Sequence, residues 1–285
     1  MPDVRIVARD RVDALGEGVL WSPTQDAVFW VDILGRRVNR LSLADDAVES
    51  WAMPEMTGWV LERARMPGFI AGLASGIRTL TLEPFALASF ADLSGEPDGN
   101  RMNDAIIDAG GRLWCGTMPV SCDRPTGSFY RVDADATMTR IEGGYTVANG
   151  PAISPDGRWL YHTDTVPGLV YRFALQGDGR LGAREIWLRF HDGWGRPDGM
   201  TCDAEGGVWI AHWGGARVSR FTPDATFDRS IALPTSQITN MAFGGPDLDR
   251  MFVTSAADGV NEAHAGALFE VDPGCRGVAP HRFAG

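Results

Sequence analysis

The sequence has no long apolar run, no concentrated basic segment and almost no helical periodicity. No apolar stretch approaches the ~20 residues that a membrane-spanning helix needs, and the first residues lack the charged-then-apolar pattern of a secretory signal. The 285 residues carry a formal net charge of −11 without any cluster of basic side chains, which argues against nucleic acid as a partner. We therefore expect a soluble, cytoplasmic protein that contacts neither membrane nor nucleic acid, and no segment indicates an obligate protein partner.

Several motifs that carry known chemistry are also missing. No two of the four cysteines form a C-x-x-C pair, so a structural zinc site is not expected, and the cysteines are interpreted as free thiols in a reducing compartment. No serine lies in a G-x-S-x-G turn, which excludes that class of serine hydrolase. The histidines show no paired spacing, and His162 and His212 are interpreted as packed or solvated side chains. The cysteines are Cys115, Cys122, Cys202 and Cys275.

What the sequence does contain is a phrase repeated six times, each copy with aromatic or β-branched residues and each followed by a second phrase of the same kind. A period of about 40–50 residues made of strands and turns predicts a β-propeller. With 35 glycines and 17 prolines for tight turns, we predict an all-β, six-bladed propeller with four antiparallel strands per blade, forming a single domain over residues 1–285. The first phrase lies at 27–32, 68–72, 112–117, 158–163, 207–212 and 250–254, and the second at 37–41, 76–80, 127–132, 168–173, 216–221 and 266–271.

The two chain ends are candidates for closing the ring. A propeller must pair its first and last blades so that no sheet edge stays exposed. Residues 4–8 and residues 278–283 both read as strands, and we expect these two segments to share the sixth blade. The one mildly helix-compatible piece, residues 84–92, is also expected to be a strand and turn.

Four polar residues precede the repeated aromatic residues at similar offsets. Glu17, Asn103, Asn149 and Asp198 lie about 11 to 13 residues before an aromatic residue of the next phrase. Equal offsets in different blades predict equivalent heights around the channel axis. Each dipeptide with glycine is by itself typical of a turn, but two carboxylates and two amides at one point suit a divalent cation such as calcium, magnesium, manganese or ferrous iron, with zinc also possible. A set that leaves coordination positions open is typical of a catalytic site.

The same residues belong to a longer series of motifs that resembles the senescence-marker-protein/gluconolactonase family, which includes regucalcin and bacterial sugar lactonases. The resemblance covers essentially the whole chain, and segment 161–165 is more similar to the bacterial sugar-acid lactonases than to the animal proteins. The motifs are Gly16-Glu17-Gly18 with Trp21, residues 29–33, 100–104 and 110–118, Asn149-Gly150, residues 197–200, residues 243–245 and residues 277–280.

The resemblance implies a six-bladed propeller with one catalytic divalent metal ion. By position it implies that Glu17, Asn149 and Asp198 are the metal ligands, and that Arg101 and Asn103 bind the substrate. Animal members carry an acidic residue that contacts sugar shortly after the Gly-Thr-Met phrase, whereas this chain has Met118-Pro119-Val120 there. The sugar preference is therefore expected to differ.

The predicted reaction is hydrolysis of an aldono-lactone, such as glucono-, xylono- or arabinono-lactone, to the open sugar acid. Asp198 is the candidate general base, with Asp104 as a second candidate, and the metal would polarise the ring carbonyl. Trp194 and Trp213 are further candidates for stacking on a sugar ring. Two alternatives remain open at this point: a phosphotriesterase-like hydrolase that uses the same metal site, and a calcium-binding propeller without turnover.

Overall fold

The computed structural model describes residues 4–285, and these form 24 strands in six four-stranded antiparallel sheets. Within this range no helix has the length and apolar character that crossing a bilayer would require. The strands, in chain order, are β1 (Arg5–Ile6), β2 (Gly16–Ser22), β3 (Ala27–Asp32), β4 (Arg37–Ser42), β5 (Val48–Ala52), β6 (Thr57–Glu62), β7 (Phe69–Leu73), β8 (Gly76–Leu82), β9 (Phe85–Asp92), β10 (Asn100–Ile107), β11 (Leu113–Pro119), β12 (Gly127–Val132), β13 (Met138–Tyr145), β14 (Ala148–Ile153), β15 (Trp159–Asp164), β16 (Leu169–Ala174), β17 (Glu185–Arg189), β18 (Arg196–Cys202), β19 (Val208–Trp213), β20 (Arg217–Phe221), β21 (Phe227–Ala232), β22 (Ile238–Gly244), β23 (Arg250–Ser255) and β24 (Phe269–Val271).

The six sheets are the blades of a β-propeller. The first strand of each blade contacts the first strand of the next, and β22 of the sixth blade contacts β2 of the first, so the innermost strands close a ring around a central channel. The predicted fold, with four antiparallel strands per blade, is confirmed. The innermost strands are β2, β6, β10, β14, β18 and β22.

The repeated phrases of the sequence are the second and third strands of the blades. All six residues of β3 are buried, as are all seven of β11, because a middle strand packs against neighbouring blades on both faces. The outer strand of a blade is more polar, and β9 has a mostly exposed pattern. The segment around residues 84–92 is therefore a strand, as predicted.

Buried tryptophans in alternate blades share one hydrogen-bond arrangement. In each case the indole Nε1 donates to a carboxylate at 2.9 Å, which satisfies the single polar group of a ring that is otherwise packed in the core. The contact ties the second strand to the segment before the first strand in blade one, and to the turn between the first two strands in blades three and five. The pairs are Trp30 with Asp13, Trp114 with Asp108, and Trp209 with Asp203.

The ring is closed by the N-terminal strand alone. The sixth blade has the order β1-β24-β23-β22, with Arg5 opposite Glu270 and Ile6 opposite Phe269, so the N-terminal half of the closure prediction is confirmed. The C-terminal half is wrong, because residues 278–283 do not join this sheet. A third strand as short as β24 leaves one edge to cover, and β1 covers it.

The C-terminal segment instead crosses one end of the channel. Gly277 forms an isolated bridge with Asp203 of the fifth blade, and Phe283 forms another, parallel bridge with Arg63 after β6. The Phe283 side chain is fully buried in the cluster that contains Trp59 and Leu113. The segment therefore spans from the fifth and sixth blades to the second and third, and it closes this end.

Each innermost strand carries a register irregularity near the point where it meets its neighbour. In five of them two residues of the inner strand face a single residue of the second strand, for example between Glu17 and Leu20 and between Pro197 and Met200. A β-bulge bends the strand and redirects side chains. The six bulges lie at one level of the ring, and they determine which side chains point into the channel.

Candidate functional site

Polar side chains of five innermost strands converge inside the channel, at the bulges. All are buried, and each residue exposes only 4–6% of its surface. Most of the candidate residues lie on the strands themselves, rather than in the loops before them. They are Glu17 on β2, Asn103 and Asp104 on β10, Asn149 on β14, Asp198 on β18 and Asn240 on β22.

The glycines that follow the candidate ligands are required by the close approach of the strands. Gly150 has a φ of +38°, and a Cβ atom on Gly199 would lie 2.4 Å from Cγ of Asn240. The Asn149-Gly150 and Asp198-Gly199 pairs, which in isolation are typical of turns, therefore belong to bulged strands. Glycine permits the bulge and leaves room for a polar side chain from the next blade.

A chain of hydrogen bonds connects the predicted substrate-binding residues to a predicted ligand. Arg101 Nη1 donates to Asn103 Oδ1 at 2.7 Å, and Asn103 Nδ2 donates to Asn149 Oδ1 at 2.6 Å and to the Ala148 carbonyl at 2.8 Å. Both N–H bonds of Asn103 are thus directed at the fourth blade. The carbonyl oxygen of Asn149 keeps a second lone pair, while its Nδ2 donates to Thr165 Oγ1 at 2.9 Å.

A second set of hydrogen bonds joins two carboxylates through one amide. Asn240 Nδ2 donates to Glu17 Oε2 at 3.1 Å and to Asp104 Oδ2 at 3.2 Å. Asp104 Oδ2 also accepts the Gly150 N–H at 2.9 Å. Blades one, three, four and six are therefore linked directly beneath the candidate ligands.

The three carboxylates of the site hold their protons more tightly than usual. Burial, together with the charge of Asp104, raises the pKa of Glu17 to about 8, and burial raises the pKa of Asp104 to about 6. The pKa of Asp198 lies well above its ordinary value because the group is buried and faces both of the other acids. Burial also lowers the pKa of Arg101, whose positive charge partly offsets Glu17 and Asp198.

This charge distribution fits a divalent cation. Three carboxylates and one guanidinium leave a formal charge of −2 in a buried space when all are ionised, and buried charge without a partner is costly. Asp198 Oδ1 is buried and has no hydrogen-bond partner among the described residues. In residues 4–285 no three His, Cys, Asp or Glu side chains form a metal-binding group by themselves. The candidate set also contains the amide oxygen of Asn149.

The remaining candidates lie at other positions. The Trp194 ring packs against Phe190, His212 and Phe221, so much of its surface is used within the fifth blade region. Trp213 is half-buried at the end of β19 and forms a bridge with Gln237. His162 is fully buried with its ring centroid 4.0 Å from that of Phe129, as expected for a packed side chain. Stacking of either tryptophan on a sugar stays a prediction.

Asn240 is the residue of this site that the sequence reasoning missed. It lies 12 residues before Phe252, within the same range of offsets as the four recognised residues. The offset was therefore a usable signal, but Thr239-Asn240-Met241 has no glycine to mark the bulge. The second blade has Gly58 at its bulge and offers no ligand there.

A cavity of about 550 Å³ fills the channel on the other side of this cluster. Asp104 and Asn240 line its inner end, and residues 278–281 of the C-terminal segment lie at its outer end. Its walls come from the second halves of the innermost strands and include Trp21, Ile153 and Phe243. Asp104 and Asn240 thus separate the candidate ligands from this cavity.

With this geometry in place, residues 15–257 match the family described as SMP-30/Gluconolactonase/LRE-like region. The chain belongs to this family. The resemblance drawn from the motifs is confirmed.

Similar members of the family are named for several activities. The chain is 36% identical to the 6-deoxy-6-sulfogluconolactonase of Pseudomonas putida, with 95% of each chain covered, and 34% identical to a pentonolactonase of Haloferax volcanii, with 92% of each covered. The crystal structure of a calcium-binding protein, regucalcin, from Agrobacterium tumefaciens superposes with a TM-score of 0.93 at 28% identity, covering 99% of this chain and 97% of that one. The two sequence matches and the superposed regucalcin structure each extend over nearly the full length of this chain.

Proposed function

We propose that this protein, a lactonase of the SMP-30/gluconolactonase family, hydrolyses a sugar (aldono-)lactone to the open sugar acid and depends on one divalent cation. The activities named for its relatives support the lactone as substrate class. The observation that supports the cation is the buried, unpartnered Asp198 Oδ1, whose carboxyl group is also influenced by the charges of Glu17 and Asp104. We also propose that the chain acts as one domain in the cytoplasm, without an obligate protein partner.

Glu17, Asn149 and Asp198 would hold the cation: they come from three different blades, and all three side chains are buried at or beside the bulges of the innermost strands. A carboxylate, a carboxylate and an amide suit calcium, magnesium, manganese or ferrous iron, and zinc also accepts such oxygens. A divalent cation bound there would polarise the lactone carbonyl and make an attacking water more acidic.

The protein's own groups divide the remaining work. Arg101 provides a fixed positive charge with paired donors for the substrate oxygens, and Asn103 holds it in place through the 2.7 Å hydrogen bond. Asp198 is the candidate base: a water oxygen attacks the ring carbonyl carbon while its proton passes to the Asp198 carboxylate. The ring C–O bond then breaks, and the leaving oxygen takes the proton. Asp198 thus accepts the proton as a carboxylate and returns it as a carboxyl.

We expect the identity of the sugar to depend on the end of β11 and the residue that follows it. Residues Met118-Pro119-Val120 replace the acidic contact expected for animal members, and Val120 is exposed. An apolar side chain at this position favours a lactone that presents less hydrogen-bonding surface there, so we expect the preferred sugar to differ from that of the animal proteins.

The decisive experiment is proton release by chelator-treated protein after each cation is added back, over a panel of glucono-, xylono- and arabinono-lactones and one phosphotriester. We expect turnover of a lactone only with a cation present. Turnover of the phosphotriester alone would favour a phosphotriesterase-like enzyme, and cation binding without any turnover would favour a non-catalytic calcium-binding propeller.

Two substitutions then test the ligands. Glu17→Gln and Asp198→Asn should abolish cation binding and lactone turnover together. The metal-free Glu17→Gln protein should unfold at a higher temperature than metal-free wild type, because a buried Gln avoids the cost of keeping a carboxyl protonated above its unfolded pKa. Glu205→Gln, with 69% of its side chain exposed, is the matched control and should leave turnover unchanged. Wild-type turnover in Glu17→Gln after metal stripping contradicts the assignment.

A further inference from the structure

Asn240 occupies a central position beneath the candidate ligands. Its side chain comes from β22 in the sixth blade, and one nitrogen, Nδ2, donates to Glu17 of the first blade at 3.1 Å and to Asp104 of the third at 3.2 Å. These two hydrogen bonds hold the carboxyl groups of Glu17 and Asp104 next to each other. The same group touches Gly199, whose missing Cβ makes room for it.

The orientation of the Asn240 amide is fixed by the backbone. Asn240 Oδ1 accepts the N–H of Met241 at 2.8 Å, and a backbone N–H can only donate. A flipped amide would direct its nitrogen at this donor and its oxygen at two carboxylates. The Nδ2 group therefore faces Glu17 and Asp104 in every low-energy arrangement.

Asp104 extends this link to β14, the strand that carries the candidate ligand Asn149. Its Oδ2 accepts the N–H of Gly150 at 2.9 Å, next to Asn149, and its Oδ1 accepts the N–H of Ala105 at 2.7 Å. Gly150 lies in the bulge with a φ of +38°, so this hydrogen bond holds a part of β14 that has lost its regular pairing. Asp104 thus fixes the bulge that carries Asn149.

On the side that faces the channel cavity, packing does not hold the side chains of Asn240 and Asp104 in place. Both Asn240 and Asp104 line the cavity of about 550 Å³ in the channel, so no side chain is pressed against them from that side. Their positions depend on their hydrogen bonds to each other, to Glu17 and to Gly150. Loss of one bond therefore frees the other partners to move into open space.

We propose that Asn240 and Asp104 form a positioning pair, which holds Glu17 and the Asn149 bulge at the separation that a divalent cation requires. This inference rests on the proposed function, since it concerns the same cation. The pair acts through Glu17 and the Asn149 bulge. Its effect is on the affinity of the site for the cation.

The test is direct binding of Mn²⁺ to chelator-treated protein. Binding is measured as the decrease of the electron paramagnetic resonance signal of free Mn²⁺. Mn²⁺ is a suitable probe because it prefers oxygen ligands. Asn240→Ala and Asp104→Ala should each raise the dissociation constant for Mn²⁺ about 10–100-fold, the usual effect of removing an outer hydrogen-bond partner of a metal ligand. The double variant should raise it little more than the single variant with the larger effect, because both residues act through one bridge.

Two further readouts separate positioning from general damage to the fold. Saturating Mn²⁺ should restore most of the lactone turnover of Asn240→Ala, which a misfolded protein would not show. Asn39→Ala removes another buried asparagine, whose Oδ1 accepts from Ser50 at 2.6 Å within the first blade, and it should leave the Mn²⁺ affinity unchanged.

The outcomes are distinguishable. If wild type binds Mn²⁺ and the two alanine variants bind it equally well, the positioning pair is wrong while the proposed function stands. Effects of the two substitutions that simply add in the double variant also overturn the pair as a unit. If wild type itself binds no divalent cation and still turns over a lactone, the metal-dependent function and the positioning pair both fall.

Discussion

His162 is a fully buried imidazole that forms no hydrogen bond within the described residues. Its ring packs 4.0 Å from Phe129 and 4.7 Å from Tyr145, measured between ring centroids. Burial lowers its pKa to about 3, because protonation would place an unsolvated charge in the core. The folded state therefore keeps His162 neutral, and protonation of this residue at acidic pH favours unfolding.

The acid sensitivity of the fold should follow from this residue. The folded pKa of about 3 lies below the ordinary 6.5, so the stabilisation is complete above pH 6.5 and is lost as the pH falls toward 3. Between pH 7 and pH 5 the loss amounts to about 2 kcal/mol. Urea unfolding at both pH values should show a smaller loss for His162→Leu than for wild type.

A control at the surface isolates the effect. His191 is exposed, and His191→Leu should keep the wild-type dependence on pH. An equal loss of stability on acidification in His162→Leu and wild type would show that the buried imidazole is not responsible.

The C-terminal segment is the element whose role the sequence pattern did not indicate. It links distant blades: the Gly277 N–H donates to the Leu248 carbonyl at 2.8 Å, and the Phe283 N–H donates to the Glu62 carbonyl at 2.8 Å. Only Phe283 at its end is fully buried, whereas Val278 is 39% exposed. The segment therefore acts as a strap with one deep anchor, and it bounds the channel cavity.

Removing the anchor should destabilise the propeller far more than removing an exposed side chain beside it. Phe283→Ala deletes a ring from the cluster with Trp59 and Leu113, and loss of a buried phenylalanine costs about 3–5 kcal/mol. Val278→Ala should change the free energy of unfolding by less than about 0.5 kcal/mol. Denaturant titration measures both, and similar midpoints for the two variants would contradict the anchor.

At the scale of the whole molecule, the buried acids at the axis link stability to pH and to cations. The folded protein keeps a proton on Glu17 up to about pH 8, whereas the unfolded chain loses it near pH 4.5. A group whose pKa is raised on folding stabilises the fold below its unfolded pKa and loses that contribution as the pH rises through the folded value. Glu17 therefore acts in the opposite direction to His162.

Without a cation, the melting temperature should fall as the pH rises from 6.5 to 8. In this window the contribution of His162 hardly changes with pH, whereas that of Glu17 is still being lost. A bound cation replaces the proton, so the protein with added metal should lose less stability over this window. Thermal unfolding with chelator and with excess Mn²⁺ measures the difference. A metal-free Glu17→Gln protein should lose the trend, and its persistence there would assign the effect to another group.

The sequence predicts most of the architecture because the blades repeat. Spacing identified the second and third strands of each blade, and equal offsets brought Glu17, Asn149 and Asp198 to one level of the channel. The C-terminal path was not predictable in this way, because residues 278–283 belong to no repeat and their partners lie in other blades. Asn240 was missed because no glycine lies next to it, as one does next to Glu17, Asn149 and Asp198, and the bonds that define it cross from blade to blade.

The ring of bulges also sets where new chemistry can be introduced by design. At the second blade, a Cβ on Gly58 would lie 2.6 Å from the Asn103 carbonyl oxygen, so the backbone of the neighbouring blade already fills the place of a sixth side chain. In the sixth blade, Thr239 donates to the Gly16 carbonyl and already carries a side chain at the equivalent position. An engineer who wants to add a ligand to the ring would therefore leave the second blade unchanged, because that sector of the circle is sterically closed to any residue larger than glycine.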